Sequence, residues 1–167
     1  MEKPDRPTIK LPYTGVEKTF ELVAAAGLLL SIFLIINYWT SLPDEVPSHF
    51  GMSGKPDAWS GKGLLIVLPL VSLFLYALFT IVSRFPQYAN YLIKITEQNV
   101  ERQYRMARQF MAILKAELIW VFTLINWASI AVALGRCEGL GVLFLPIFLV
   151  IVFGTIGIYI YKSVKAA

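Results

Sequence analysis

The chain has 167 residues, 57% of them hydrophobic and only 16% charged, with a mean hydropathy of +0.64 and a net charge of +4. Soluble domains usually carry about 45–50% apolar and about 25% charged residues, so a disordered chain, a disulfide-rich secreted domain and an ordinary soluble enzyme are excluded. The lone Cys137 and the lone His49 leave no internal disulfide, no cysteine-cluster zinc site and no metal site built on two histidines of one chain.

Residues 1–19 form a Pro-rich, charged tail that is expected to be flexible and cytoplasmic. Four apolar runs follow: Phe20–Trp39, Gly63–Val82, Leu114–Leu134 and Leu140–Tyr161. Each approaches or exceeds the ~20 residues that cross a hydrocarbon core as helix. The first is too long for a signal-peptide core and lacks a small-residue cleavage site, so it is expected to remain as an anchor. Pro69 and Pro146 fall in the first two turns of their runs, where proline does least damage. The expected fold is an all-α integral membrane protein of four transmembrane helices. It comprises a two-helix unit over 20–82 with an external loop at 40–62, a cytoplasmic amphipathic link over 83–112, a second helix pair over 113–161, and a tail at 162–167.

Orientation follows from lysine and arginine. Lys3, Arg6, Lys10, Lys18, Arg84, Lys94, Arg102, Arg105, Arg108, Lys162 and Lys165 lie on one side; only Lys55, Lys62 and Arg136 lie on the other. The positive-inside rule places both termini in the cytoplasm. Tyr38, Trp39 and Trp127 then mark the outer interface, Tyr159 and Tyr161 the inner one. This placement points the positive charge at lipid headgroups, and no nucleic-acid partner is expected.

No proline interrupts the chain from Gln87 to Leu145. Apolar residues at helical spacing predict a helical link, and one continuous helix from Gln87 to Leu134 would run about 70 Å at 1.5 Å per residue, so the third span is expected to project into the cytoplasm or to bend at the interface. Its cytoplasmic part would carry a basic stripe of Arg102, Arg105 and Arg108. That stripe suits anionic headgroups or the docking of a cytoplasmic protein partner.

The loop from Thr40 to Lys62 is the chemically rich stretch. Pro43-Asp44 and Pro56-Asp57 look like turn starts, since proline fixes φ and aspartate bonds the backbone two residues on. Gly51 and Gly54 let the loop fold back, and Phe50, Met52 and Trp59 could cover the helix ends. Leu42, Pro43, Asp44, Pro47, His49, Phe50, Gly54, Pro56, Asp57, Trp59 and Lys62 form the string L-P-D-x-x-P-x-H-F-x-x-x-G-x-P-D-x-W-x-x-K. This string resembles the hallmark of a bacterial membrane domain of unknown function that accompanies the SdpI domain, itself named after an immunity protein against a secreted killing peptide. The resemblance covers roughly 20–82. It implies a multipass protein of the bacterial cytoplasmic membrane with the motif outside and brings no enzymatic activity.

Three functions follow as expectations. The leading one is a non-enzymatic SdpI-like protein whose external cap binds, or shields the membrane from, an extracytoplasmic ligand such as an antimicrobial peptide. In a second, Asp44, His49 and Asp57 hold a divalent metal for a membrane enzyme. In a third, the chain is an accessory subunit of a larger transporter. No cofactor is required by the first or third, and a homo-oligomer is compatible with all of them. Inside the membrane, Asn37, Glu117 and Asn126 stand out. Asn37 and Asn126 are expected to bond each other near the outer face. Glu117 reads as one half of an interfacial pair with a snorkelling Lys115, or as an intramembrane carboxylate on a proton or substrate path.

Overall fold

The computed structural model describes residues 6–166. Its elements are α1 (Gly15–Tyr38), β1 (Glu45–Phe50), β2 (Pro56–Gly61), α2 (Val67–Val82, entered through a 3-10 turn at Lys62–Ile66), α3 (Val100–Ala133) and α4 (Phe144–Lys165). Among the described residues, four helices are long and apolar enough to cross a membrane. The chain is mostly helical but not all-α: the loop between the first two helices contains a two-stranded antiparallel sheet. Pro56-Asp57 therefore starts a strand rather than a turn. The first position of a strand suits proline, because its missing N–H is not needed there.

α1 begins where Thr14 and Glu17 cap each other. The Glu17 N–H donates to Thr14 Oγ1 at 3.2 Å, and the Thr14 N–H donates to Glu17 Oε2 at 2.7 Å. The chain before it is held in place. The Arg6 guanidinium donates to the carbonyls of Gln87 and Ala89, and Pro7 and Leu11 offer theirs to Tyr104 and Arg108. The expected flexible tail is thus ordered from Arg6 onward; its first part, residues 1–5 with Lys3, lies outside the described residues.

The predicted helix from Gln87 forms only from Val100. Side chains claim the backbone groups a longer helix would need. Tyr91 Oη donates to the Pro86 carbonyl. Asn99 Oδ1 accepts from the Thr96 N–H, and its Nδ2 donates to the Lys94 carbonyl. Arg6 takes the carbonyls between them.

α3 is the central helix and touches α1, α2, α4 and β1. α1 and α3 run parallel, and a ladder of polar pairs records their register. Arg108 Nε meets Glu17 at 2.7 Å, Lys115 Nζ meets Glu21 at 2.5 Å, the Thr123 hydroxyl donates to the Gly27 carbonyl at 3.0 Å, and Asn126 Nδ2 donates to Ser31 Oγ at 3.2 Å. The buried positions Glu17, Ala24, Leu28 and Ser31 of α1 face Arg108, Lys115, Ile119, Thr123 and Asn126 of α3. Gly27 admits this closeness: a Cβ there would sit about 3.1 Å from the Trp120 ring nitrogen. α2 joins the seam antiparallel to α3, with Thr80 Oγ1 2.9 Å from Lys115 Nζ and the Tyr76 ring under the ammonium.

Three sequence expectations change here. Lys115 does not snorkel: it is 1% exposed and pairs with Glu21, not Glu117. Asn37 is exposed, and Asn126 bonds Ser31 instead. Arg102, Arg105 and Arg108 do not form one stripe. A three-residue step turns a helix by about 300°, so the outer two lie about 120° apart. Arg108 is buried against Glu17, Arg105 pairs with Glu101 at 2.8 Å, and Arg102 is exposed.

α4 packs antiparallel on α3 through Gln103–Ser163, Glu117–Thr155 and the stacked rings of Phe110 and Tyr159. Nothing in its apolar stretch is buried. Residues 6–14, the link over 83–99 and the C-terminal end gather at one end of the bundle, and the hairpin lies at the other.

Removing one partner of a buried ion pair strands a charge, at a cost of about 3–5 kcal/mol, whereas replacing both by apolar groups is often nearly neutral. Glu21→Leu is expected to lower unfolding stability in bicelles by that order, and Glu21→Leu with Lys115→Met to recover most of it. A single variant as stable as the parent in a denaturing-detergent titration would remove Lys115–Glu21 from the fold's supports.

Candidate functional site

An isolated two-stranded hairpin is marginal in water, and this one is anchored to the bundle. Leu42 and Val46 are buried with Leu34, Leu65 and Ile130, which ties the strand and both flanking chain segments to α1 and α3. The base closes through the Lys62 N–H, which donates to the Asp44 carbonyl at 2.9 Å, and the tip turns at Gly51–Lys55. The register shifts around His49, leaving Ser48 without a partner in the ladder.

The tip is fastened to the α3–α4 connection by backbone. Gly54 sits at φ +74°, its carbonyl accepts the Leu140 N–H at 2.8 Å, and a Cβ on it would overlap the Gly141 backbone. Lys55 Nζ lies 2.9 Å from Glu138 Oε2 across the same junction. That hydrogen bond and charge hold the Glu138 carboxyl below the usual glutamate range.

Beneath this fastening lies a cavity of about 670 Å³. The hairpin roofs it with Ser48, His49, Phe50 and Asp57, and Phe122, Ile125, Phe144 and Phe148 of α3 and α4 form its apolar wall. At its rim His49 Nδ1 and Asp57 Oδ1 are 2.5 Å apart, with side chains 69% and 53% exposed. A pair so exposed adds little stability but presents a polar handle beside an apolar space.

The motif residues are thus only partly assembled. His49, Phe50, Gly54 and Asp57 line the cavity, and Pro47 borders a smaller one against α2 and α3. Pro43 and Asp44 lie at the hairpin base, and Asp44 is 3.7 Å from Lys62, which also lies over the Trp39 ring. Asp44 is therefore at the opposite end of the hairpin from His49 and Asp57. Among the described residues no three His, Cys, Asp or Glu side chains converge to hold a metal, so the expected Asp44–His49–Asp57 triad is not brought together. Pro56 begins β2. Met52 and Trp59 do not cover the helix ends: they are 85% and 52% exposed.

Glu117 carries a further feature. Its Oε1 accepts from the Thr155 hydroxyl at 2.5 Å, and its Oε2 is enclosed without a partner. Glu17, Glu21, Gln103 and Thr155 were not singled out from sequence. For the α1 residues a signal existed: Glu17, Glu21, Ala24, Leu28 and Ser31 recur at three- and four-residue steps, the spacing of a packed helical seam.

Residues 26–73, less than half of the chain, match a family described as a domain of unknown function, DUF1648. The match takes in the second half of α1, the whole hairpin and the start of α2. A protein of Archaeoglobus fulgidus described as uncharacterized is 33% identical over 112 residues, covering 59% of this chain and 58% of its own length. The chain therefore spans a little over half of that relative. No solved structure matches the chain.

Two predictions test the cap. Gly54→Ala forces a side chain into a left-handed backbone position against Gly141, at a cost of about 2 kcal/mol. Limited proteolysis of the hairpin is expected to accelerate accordingly, whereas Gly63→Ala, with open space around it, leaves the rate unchanged. The second concerns pH. Because the Glu138 carboxyl is held below its ordinary value of 4.5, its contribution is complete above that value and fades as pH falls below it. Exchange of the Leu140 amide hydrogen is expected to quicken on acidification relative to its intrinsic rate, and Glu138→Gln to abolish that dependence.

Proposed function

We propose that this chain is a non-enzymatic multipass protein of the SdpI-like type in a bacterial or archaeal cytoplasmic membrane. Both termini lie in the cytoplasm, and the hairpin cap receives an extracytoplasmic amphipathic peptide. The observation that carries the reading is the 670 Å³ cavity between the hairpin and the α3–α4 pair, apolar in its wall and polar at the His49–Asp57 rim. Exposed Met52 and Trp59 on the same hairpin add apolar surface where such a peptide would approach. The orientation is supported by the lysine and arginine residues gathered with both termini at one end of the bundle, as against Lys55, Lys62 and Arg136 at the hairpin end. In this reading the cap captures the peptide before it inserts, which is an immunity function, and the cytoplasmic end of α3 reports occupancy to a partner. A metal enzyme ranks behind it, because Asp44 is remote from His49 and Asp57. An accessory transporter subunit ranks behind it for want of a feature that favours it.

Cys137 lies in the α3–α4 connection, partly exposed, at the hairpin end. A membrane-impermeant maleimide is expected to label it on intact cells. A cationic amphipathic peptide is expected to slow that labelling several-fold in the parent and not in Asp57→Asn. Labelling only after permeabilisation would reverse the orientation, and labelling indifferent to the peptide would sink the binding role.

A further inference from the structure

A second cavity, of about 530 Å³, runs along the membrane-spanning surface between α1, α3 and α4. Phe20, Trp120, Leu124, Phe148 and Ile151 make its walls apolar, and the single ionisable group among its lining residues is Glu117. Thr155 donates to one oxygen of that carboxyl, and the other has no partner. No ion pair to Glu117 occurs among the described residues. Lys115, two residues away, is spent on Glu21 and Thr80 on another face of α3. A carboxyl at this depth is costly unless something complements it, and the chain supplies one hydroxyl only.

We propose that this groove binds a membrane-partitioned, single-chain alkylammonium amphiphile, with Glu117 as its counter-ion and Thr155 positioning the carboxyl. Charge selects the occupant. An ammonium brings both the opposite charge and the missing N–H donors, and an alkyl chain matches the apolar wall that continues toward the hairpin. A phospholipid would bring its phosphate near the carboxylate, where like charges repel, so an ammonium with no anion beside it is the better match. The terminal torsion of a glutamate is broad, which lets the carboxyl present an oxygen to the groove while Thr155 keeps its bond. This site is independent of the peptide reading of the hairpin cap, although Val121, Leu140, Phe144 and Phe148 border both cavities.

Trp120 reports on the groove. The full chain in phosphatidylcholine nanodiscs is titrated with a nitroxide-labelled dodecylammonium, and tryptophan quenching is followed. Saturable quenching is expected for the parent, with a midpoint about tenfold higher for Glu117→Gln, the loss appropriate to one charge-assisted contact. Trp120→Phe is expected to remove the saturable part. A nitroxide-labelled alcohol of equal chain length is expected to quench parent and Glu117→Gln alike. In the parent, which needs no folded variant, excess unlabelled dodecylammonium is expected to displace the probe and dodecyl sulfate to leave it bound. Equal midpoints for parent and Glu117→Gln, saturable quenching that survives Trp120→Phe, or displacement by the sulfate would each overturn the proposal.

Discussion

Two ion pairs, one buried on both sides and one on its lysine side, set the frame on which the rest of the molecule is hung. Glu17–Arg108 and Glu21–Lys115 bring four charged groups into the seam between α1 and α3. Between apolar helices in a bilayer there is little hydrophobic force to choose a register. Charges that must meet choose it sharply, because a one-residue slip would strand them. The choice is reinforced above and below by Gln109 on Thr14, Thr123 on Gly27 and Asn126 on Ser31. Once α1 and α3 are parallel and in register, α2 has one place to go, with Thr80 and Tyr76 against the Lys115 ammonium.

That register also builds the platform for the hairpin. Leu34 of α1 and Ile130 of α3 reach the same end of the bundle and meet Leu42, Val46 and Leu65 there. Val46 is fully buried, yet β2 is almost wholly exposed. The hairpin is therefore held at its base by one strand and its flanks and at its tip by the α3–α4 connection, and its second strand stays exposed. Gly54 at the tip serves contact with the α3–α4 connection, where no side chain fits.

Much of this was legible in the sequence, and the reasons for the rest are physical. Hydropathy found four spans because a bilayer demands length and apolarity of every crossing helix. The motif marked the cap because prolines, glycines and paired charges concentrate where chain geometry is constrained. The hairpin was missed because β1 and β2 are short, contain Pro47 and Pro56, and show no clean alternation. The start of α3 was misplaced because Tyr91 and Asn99 act through side-chain bonds that periodicity does not register. The basic residues were grouped by their spacing of three, while burial separates them: Arg108 belongs to the α1 seam. Asp44 shares a motif with His49 and Asp57 but sits at the far end of a strand, and linear proximity could not reveal that.

α4 is the element that the α1–α3 seam leaves least constrained. Its apolar stretch buries nothing, and within a bilayer such a surface gains nothing by leaving lipid. Its ties are polar and lie toward the end that carries the termini: Gln103 to Ser163 and Ala166, and Glu117 to Thr155, with Phe110 stacked on Tyr159 between them. At the other end its position is set by the connection that Gly54 and Lys55 hold. The cavity under the hairpin and the groove beside Glu117 share the walls that α4 supplies. Both spaces therefore depend on where that connection places α4.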